Sequence, residues 1–184
     1  MKQSIFTLFL LVCFFGVAGA QTTPRELGVR ISSVDFSGNN VFNLVYKKQK
    51  AENRYNRWRA AFGNIGYDNF DDGDDNVYFN AGAFYGIEKR RAMADRFTFN
   101  HGWEFGGNIG LNFSEANGGY QLGLAVGYVL GVQYNPAKPF FINLETIPGL
   151  GLQFTDFGDG SEDLFVQGNV GFNSLAAVTL GFRF

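Results

Sequence analysis

The chain has 184 residues, carries 17 acidic against 15 basic side chains for a net charge of −2, and is 46% hydrophobic and 17% aromatic. The absence of a basic run argues against nucleic acid as a partner, and the lone cysteine rules out an intrachain disulfide framework. Beyond residue 20 no run approaches the about 20 apolar residues of a spanning helix, so a membrane crossing there must be a closed barrel, the other structure that satisfies the backbone in lipid.

Lys2, an uncharged run over residues 5–17 and then Ala18-Gly19-Ala20 have the basic, apolar and small-residue parts of a secretory leader. Residues 1–20 are therefore expected to be a signal peptide cleaved after Ala20. The run is too short to span a bilayer as a helix. Cys13 sits inside it behind Val12, not behind a small residue, and reads as a hydrophobic residue discarded with the leader. Residues 21–184 then form one domain of 164 residues with 14 basic and 17 acidic side chains.

Strands are expected over residues 25–35, 40–48, 53–66, 76–88, 96–113, 119–134, 139–154 and 164–184. The period-two alternation of a strand with one oily face is clearest in the second half. Phe97, Phe99, His101, Trp103, Phe105, Ile109, Leu111 and Phe113 share one parity, and Thr98, Asn100, Glu104, Asn108 and Asn112 the other. Residues 120–134 repeat the pattern, with Leu122, Leu124 and Val126 against Gln121, Gly123 and Ala125. So do residues 140–154, with Ile142, Leu144, Leu150 and Leu152 against Asn143, Glu145, Gly151 and Gln153. The last residues alternate likewise: Val178, Leu180, Phe182 and Phe184 are apolar, and Thr179, Gly181 and Arg183 between them are small or polar. Residues 47–53, 89–95 and 135–139 read as compact polar turns; residues 68–76 and 155–163 read as longer acidic loops. The link Ser37-Gly38-Asn39-Asn40 is short for an outer loop.

The face opposite the oily one is built of Gly, Ala, Asn, Gln and Glu with little Lys. A water-facing surface normally carries many charges of both signs, whereas small residues fit the interior of a narrow eight-stranded barrel. Aromatics collect at strand ends, with Phe97, Phe99, Tyr134, Phe140, Phe182 and Phe184 at one end and Phe62, Phe113, Tyr120 and Phe154 toward the other. The expected fold is all-β: an eight-stranded antiparallel up-and-down transmembrane β-barrel, with short turns and both termini on the periplasmic side and longer loops outside. A soluble β-sandwich or lipocalin-like barrel is the rival.

Strand parity places Glu26, Arg30, Arg57, Arg59, Glu88, Glu104, Glu145 and Arg183 in the interior, and allows Lys47. Charges in a confined space must be paired or hydrated. Their near-balance of sign favours a salt-bridged plug over an ion path or gate, since a pore more often shows an excess of one sign. His101, the only histidine, falls on the oily face among Tyr85, Ile87, Leu130 and Val132, with no nucleophile or acid to form a hydrolytic triad. Asp71, Asp72, Asp74 and Asp75 are weak candidates for a divalent cation; their spacing is not that of an EF-hand, and a solvated loop is the plainer reading. Gly149-x-Gly151 lacks the third glycine and the helix of a dinucleotide fingerprint. The oily parity of residues 97–113 exceeds the roughly 9–11 residues that cross a bilayer, so part of that strand, and of 164–172, is expected to rise above the lipid.

In the alternation, the leader and the terminal Gly181-Phe182-Arg183-Phe184, the chain resembles the small eight-stranded outer-membrane proteins of the OmpX and OmpA-barrel kind. The resemblance covers residues 21–184 and is one of pattern more than of motif. It implies a Gram-negative outer-membrane location, and a recognition signal for the barrel-assembly machinery in Val178, Leu180, Phe182 and Phe184. It also implies contact with outer-membrane lipid and lipopolysaccharide. No cofactor and no enzymatic activity are expected. The expected role is structural, adhesive or binding through the extracellular loops. The alternatives are an accessory subunit of a larger outer-membrane complex with a protein partner, or a narrow porin-like channel.

Overall fold

The computed structural model describes residues 23–32, 42–69, 75–114, 118–156 and 164–184. These form β1 (Arg25–Ile31), β2 (Phe42–Ala51), β3 (Arg54–Asn69), β4 (Asp75–Ala94), β5 (Phe97–Ser114), β6 (Gly119–Tyr134), β7 (Phe140–Asp156) and β8 (Phe165–Arg183). Each strand pairs antiparallel with the next, and β1 pairs with β8, so the sheet closes into an eight-stranded barrel. Where β1 pairs with β8, over Glu26–Ile31 and Val178–Arg183, closure leaves no sheet edge. At the seam the Arg25 N–H donates to the Phe184 carbonyl and the Phe184 N–H donates to the Arg25 carbonyl, both at 2.9 Å. The expected secretory leader and the link at residues 37–40 lie outside the described residues.

Burial is inverted relative to a water-soluble protein. The outer face exposes Leu44, Trp58, Phe105, Leu124, Leu144, Leu152 and Leu180, with Trp103 62% exposed. The interior buries Glu26, Arg57, Glu88, Asn100, Gln133 and Asn143. Charged residues are almost never fully buried unless paired, and a monomer in water rarely exposes so large an apolar face. The outer surface therefore requires an apolar surround. In residues 97–113, 120–134 and 140–154 the described side chains fall on the faces the alternation predicts, because a strand's side chains point to opposite faces in turn. Across that face an aromatic row runs Tyr46, Trp58, Tyr85 and Phe105, with ring centroids 5.5, 5.5 and 5.6 Å apart.

β2, β3 and β4 outrun their expected ends. β2 continues to Ala51 and turns at Glu52 and Asn53, where Asn53 takes the left-handed φ of 57° that asparagine tolerates. β4 continues to Ala94, so most of the expected polar turn at 89–95 is strand. At the other end β3 reaches Asn69 and β4 begins at Asp75, with Asp68 opposite Asn76, inside the expected loop 68–76. Polar composition was read as turn; in a closed ladder the neighbouring strand supplies the hydrogen bonds, and polar side chains are tolerated inside the barrel or beyond its apolar belt. Bulges adjust the register. Between Glu145/Ala177 and Pro148/Phe172, β8 takes two more residues than β7, an even number that keeps its faces unswapped.

Candidate functional site

Seven strands feed one ionic network inside the barrel. Glu26 and Arg30 come from β1, Lys47 from β2, Arg57 and Arg59 from β3, Glu88 and Arg90 from β4, Glu104 from β5, Glu145 from β7 and Arg183 from β8. Arg57, with a side chain 0% exposed, is the hub. Its Nη1 and Nη2 bind the two oxygens of Glu145 at 3.0 and 2.9 Å, its Nε lies 2.9 Å from Glu104 Oε2, and Nη1 reaches Glu88 Oε2 at 3.4 Å. The planar fork of a guanidinium suits this, because its donors are fixed in directions that several carboxylates can share.

Two branches leave the hub toward the loop end. Arg59 donates to Glu104 Oε1 through Nε and Nη2, at 3.0 and 2.6 Å, and to Asn43 Oδ1 at 3.2 Å; its guanidinium lies 3.6 Å over the Phe84 ring. Arg30 Nε lies 2.8 Å from Glu145 Oε1. Toward the terminus end, Glu88 receives Lys47 Nζ at 2.7 Å and Arg90 Nε at 2.8 Å. Arg90 then spans to Glu26 with a two-pronged bond of 2.8 and 2.6 Å while stacking 3.7 Å over Tyr55. Arg183 closes the chain on Glu26 at 2.7 Å. Amides fill gaps: Asn143 donates to Glu145 at 2.8 Å and Asn100 to Asn143 at 3.1 Å. Beyond the network, toward the loop end, a cavity of about 460 Å³ is lined by Tyr78, Asn80, Asn112, Gln121 and Thr155 among others.

All eight interior charges singled out from the sequence, Glu26, Arg30, Arg57, Arg59, Glu88, Glu104, Glu145 and Arg183, lie in this one network. The structure decides one position left open by the sequence and adds one that the sequence reading lacked. Lys47, only allowed by parity, is fully inside on Glu88. Arg90 was missed, because residues 89–95 read as a turn; it sits two residues after Glu88 on the same face, and extending the parity by one step locates it. With both included, six bases meet four acids, so the near-balance expected from the sequence does not hold in the described interior.

The remaining candidates are dispersed. Val178, Leu180 and Phe184 point outward on or just after β8, and Phe182 packs 5.3 Å from Phe184. His101 faces outward opposite Leu130, as expected, but its partner is Tyr128, which was not among the expected neighbours: Nδ1 lies 2.7 Å from the hydroxyl. Asp71, Asp72 and Asp74, and the side chain of Asp75, lie outside the described residues. Among the described residues no three acidic, histidine or cysteine side chains gather as a metal site.

No protein-family model and no curated protein matches this chain. Solved structures do. A major outer membrane protein from Thermus thermophilus superposes with a TM-score of 0.51 at 9% identity, covering 89% of this chain and 100% of that one. Ail, the attachment invasion locus protein of Yersinia pestis, solved with the heparin analogue sucrose octasulfate, gives 0.47 at 14% identity over 88% of this chain and 97% of its own. Neisserial surface protein A gives 0.39 at 10% identity over 88% and 94%. At these identities the likeness concerns architecture alone, and the first of them carries it: this chain has the fold of an outer-membrane β-barrel, closed from eight antiparallel strands around a charged interior.

Proposed function

We propose that the protein is a non-enzymatic integral barrel of the Gram-negative outer membrane, acting in a structural, adhesive or binding role through the loops at the end remote from its termini. The observation that supports this is the inverted burial: an apolar outer belt around a closed sheet whose buried charges are paired with one another. The network then serves as a plug that fixes the barrel's cross-section. Residues 1–20 act as the secretory leader, both termini face the periplasm, and Val178, Leu180, Phe182 and Phe184 form the signal read by the assembly machinery. Lipid and lipopolysaccharide surround the belt.

Expression of the full chain in a Gram-negative host tests the reading. The protein should fractionate with outer membranes and, unboiled in detergent, migrate differently on a gel from the heat-denatured chain. A monomer that stays in aqueous solution without detergent would overturn the proposal.

A second reading is an accessory subunit docked through its loop-end strands. β8 there exposes Phe165 and Val166, and Val170 is 84% exposed. Strands of 18 and 19 residues in β5 and β8 exceed what the bilayer covers. Crosslinking in intact outer membranes from a photoreactive side chain at position 166 tests it: a discrete protein adduct supports a partner, and lipid adducts alone do not.

A further inference from the structure

The terminus-end rim of the barrel is divided into two unlike halves. On β1–β4 its outward positions are Arg25, Lys48, Lys50, Arg54, Lys89 and Arg91. Arg25 is the direct cross-strand partner of Lys48, and Arg54 of Lys89; Lys50 and Arg91 follow two residues further toward the rim on the same faces. On β5–β8 the outward positions at the same end are aromatic. Phe97 stacks on Tyr134 at 4.9 Å, Phe140 pairs with Phe182, and Phe184 ends the chain. The halves meet where Arg91 stands opposite Phe99.

Cations and aromatics meet in register at both borders of the arc, Arg25 bonded through its backbone to Phe184 and Arg91 opposite Phe99; on the apolar side Tyr46 lies two residues above Lys48, and Trp58 lies beyond Asn56 above Arg54. Interfacial aromatics mark the headgroup level of a membrane. Among the described residues none of the six cations forms an ion pair with a carboxylate. The acids at this rim are Glu52 in the β2–β3 turn, Asp95 in the β4–β5 turn, and the terminal carboxylate of Phe184. Interior Glu26 is committed to Arg90 and Arg183. Six like charges at headgroup depth, without protein counter-ions, repel one another unless anions from the surroundings sit between them.

Resting on the membrane reading above, we infer that the β1–β4 arc is a binding surface for anionic phospholipid headgroups, the phosphodiester lying between paired cations such as Arg54 and Lys89. The β5–β8 half has its cations in the turns, Arg96 and Lys138, and in Arg183, held on Glu26, rather than on the outward strand faces, and holds interfacial lipid with less charge preference. The barrel is thereby laterally polarised, with an anion-recruiting side and a less charged side in the leaflet nearest its termini.

The chain's two tryptophans, Trp58 and Trp103, are both on the outer face, and Trp58 lies on the same face of β3 as Arg54. In a Trp103→Phe protein Trp58 is thus the sole reporter. Reconstituted into phosphatidylcholine bilayers at low salt, its fluorescence should be quenched more by brominated phosphatidylglycerol than by brominated phosphatidylcholine at equal mole fraction, with a relative binding constant of roughly three or more. The ratio should fall to about one in 1 M NaCl, where screening extends only about 3 Å, and in a Lys48→Gln, Arg54→Gln, Lys89→Gln, Arg91→Gln protein at low salt. Equal quenching by the two lipids at low salt, or a preference that survives high salt, overturns the anionic-lipid surface while leaving the barrel in the bilayer. Quenching by neither lipid overturns the membrane reading itself. Should the fourfold variant not fold, the salt comparison on the Trp103→Phe protein alone decides.

Discussion

Glu26 and Arg183 stand opposite each other across the seam where the first and last strands meet, with Arg183 Nη2 2.7 Å from Glu26 Oε1. The same carboxylate is gripped by both terminal nitrogens of Arg90 from β4. One acid therefore ties the seam to a strand across the barrel, and closure depends on side chains as well as on the backbone ladder.

The two partners should contribute unequally. Glu26→Gln takes from the buried Arg90 the two-pronged one of its two carboxylate partners and leaves it Glu88 alone, and breaking a buried pair in this way costs about 3–5 kcal/mol. Arg183→Gln removes a side chain that is 40% exposed, and an exposed pair is worth at most about 1 kcal/mol. Urea unfolding of the barrel in detergent, followed by tryptophan fluorescence, should rank Glu26→Gln well below Arg183→Gln. Equal losses would mean that the seam and not the interior pair sets stability.

Arg57 faces three carboxylates at once, so Arg57→Met should be among the most damaging interior substitutions, about 3–5 kcal/mol or a failure to refold. Glu145→Gln breaks the same two-pronged pair from the other side, so the combined loss should fall short of the sum of the two single losses, a non-additivity expected of residues in one network. Additive losses in the double-mutant cycle would contradict the hub.

Two glycines give a steric contrast. A Cβ at position 102 would run into the Ile87 carbonyl, whereas at position 171 it would meet nothing within 4 Å. Gly102→Ala should therefore destabilise by about 1–3 kcal/mol, as overpacking does, and Gly171→Ala should stay within about 0.5 kcal/mol of the parent. The same unfolding assay separates them.

Phe184→Ala keeps the backbone hydrogen bonds to Arg25 and removes only an outward ring. If the terminal aromatic is the assembly signal, its loss should lower the amount of protein in the outer membrane severalfold while leaving in vitro stability within about 1 kcal/mol. Quantitative blotting of fractionated cells measures the first and urea unfolding the second. Undiminished outer-membrane levels would remove the signal role.

The plug reading has an electrical consequence. Wild-type protein in planar bilayers should show no discrete conductance steps, because paired side chains occupy the interior. Glu104→Ala frees Arg59 and Arg57 from one partner and tests whether the network gates a path. Steps in the wild type, lost or altered in Arg59→Ala, would turn the plug into a gate.

The alternation in residues 97–113, 120–134 and 140–154 was enough to sort inside from outside, because the period of two is a local property of an extended backbone. It placed Arg57, Glu88, Glu104 and Glu145 in the interior without any knowledge of their neighbours, and it would have placed Arg90 had the charged run Glu88-Lys89-Arg90-Arg91 not resembled the start of a turn. Composition failed at strand ends for one reason: a polar residue in a closed ladder loses nothing by staying paired, so polarity there does not mark where the strand stops.

What local pattern determined about this protein was which face each residue occupies and how many strands alternate. What tertiary structure alone decided was who meets whom: that Glu26 of β1 binds Arg90 of β4 across the interior, that Arg57 gathers acids from β4, β5 and β7, and that Arg25, Lys48, Arg54 and Lys89 line one side of the rim. These contacts join residues up to 88 positions apart. They depend on the stagger with which the sheet closes, which is a property of the whole ring of strands and of no single one.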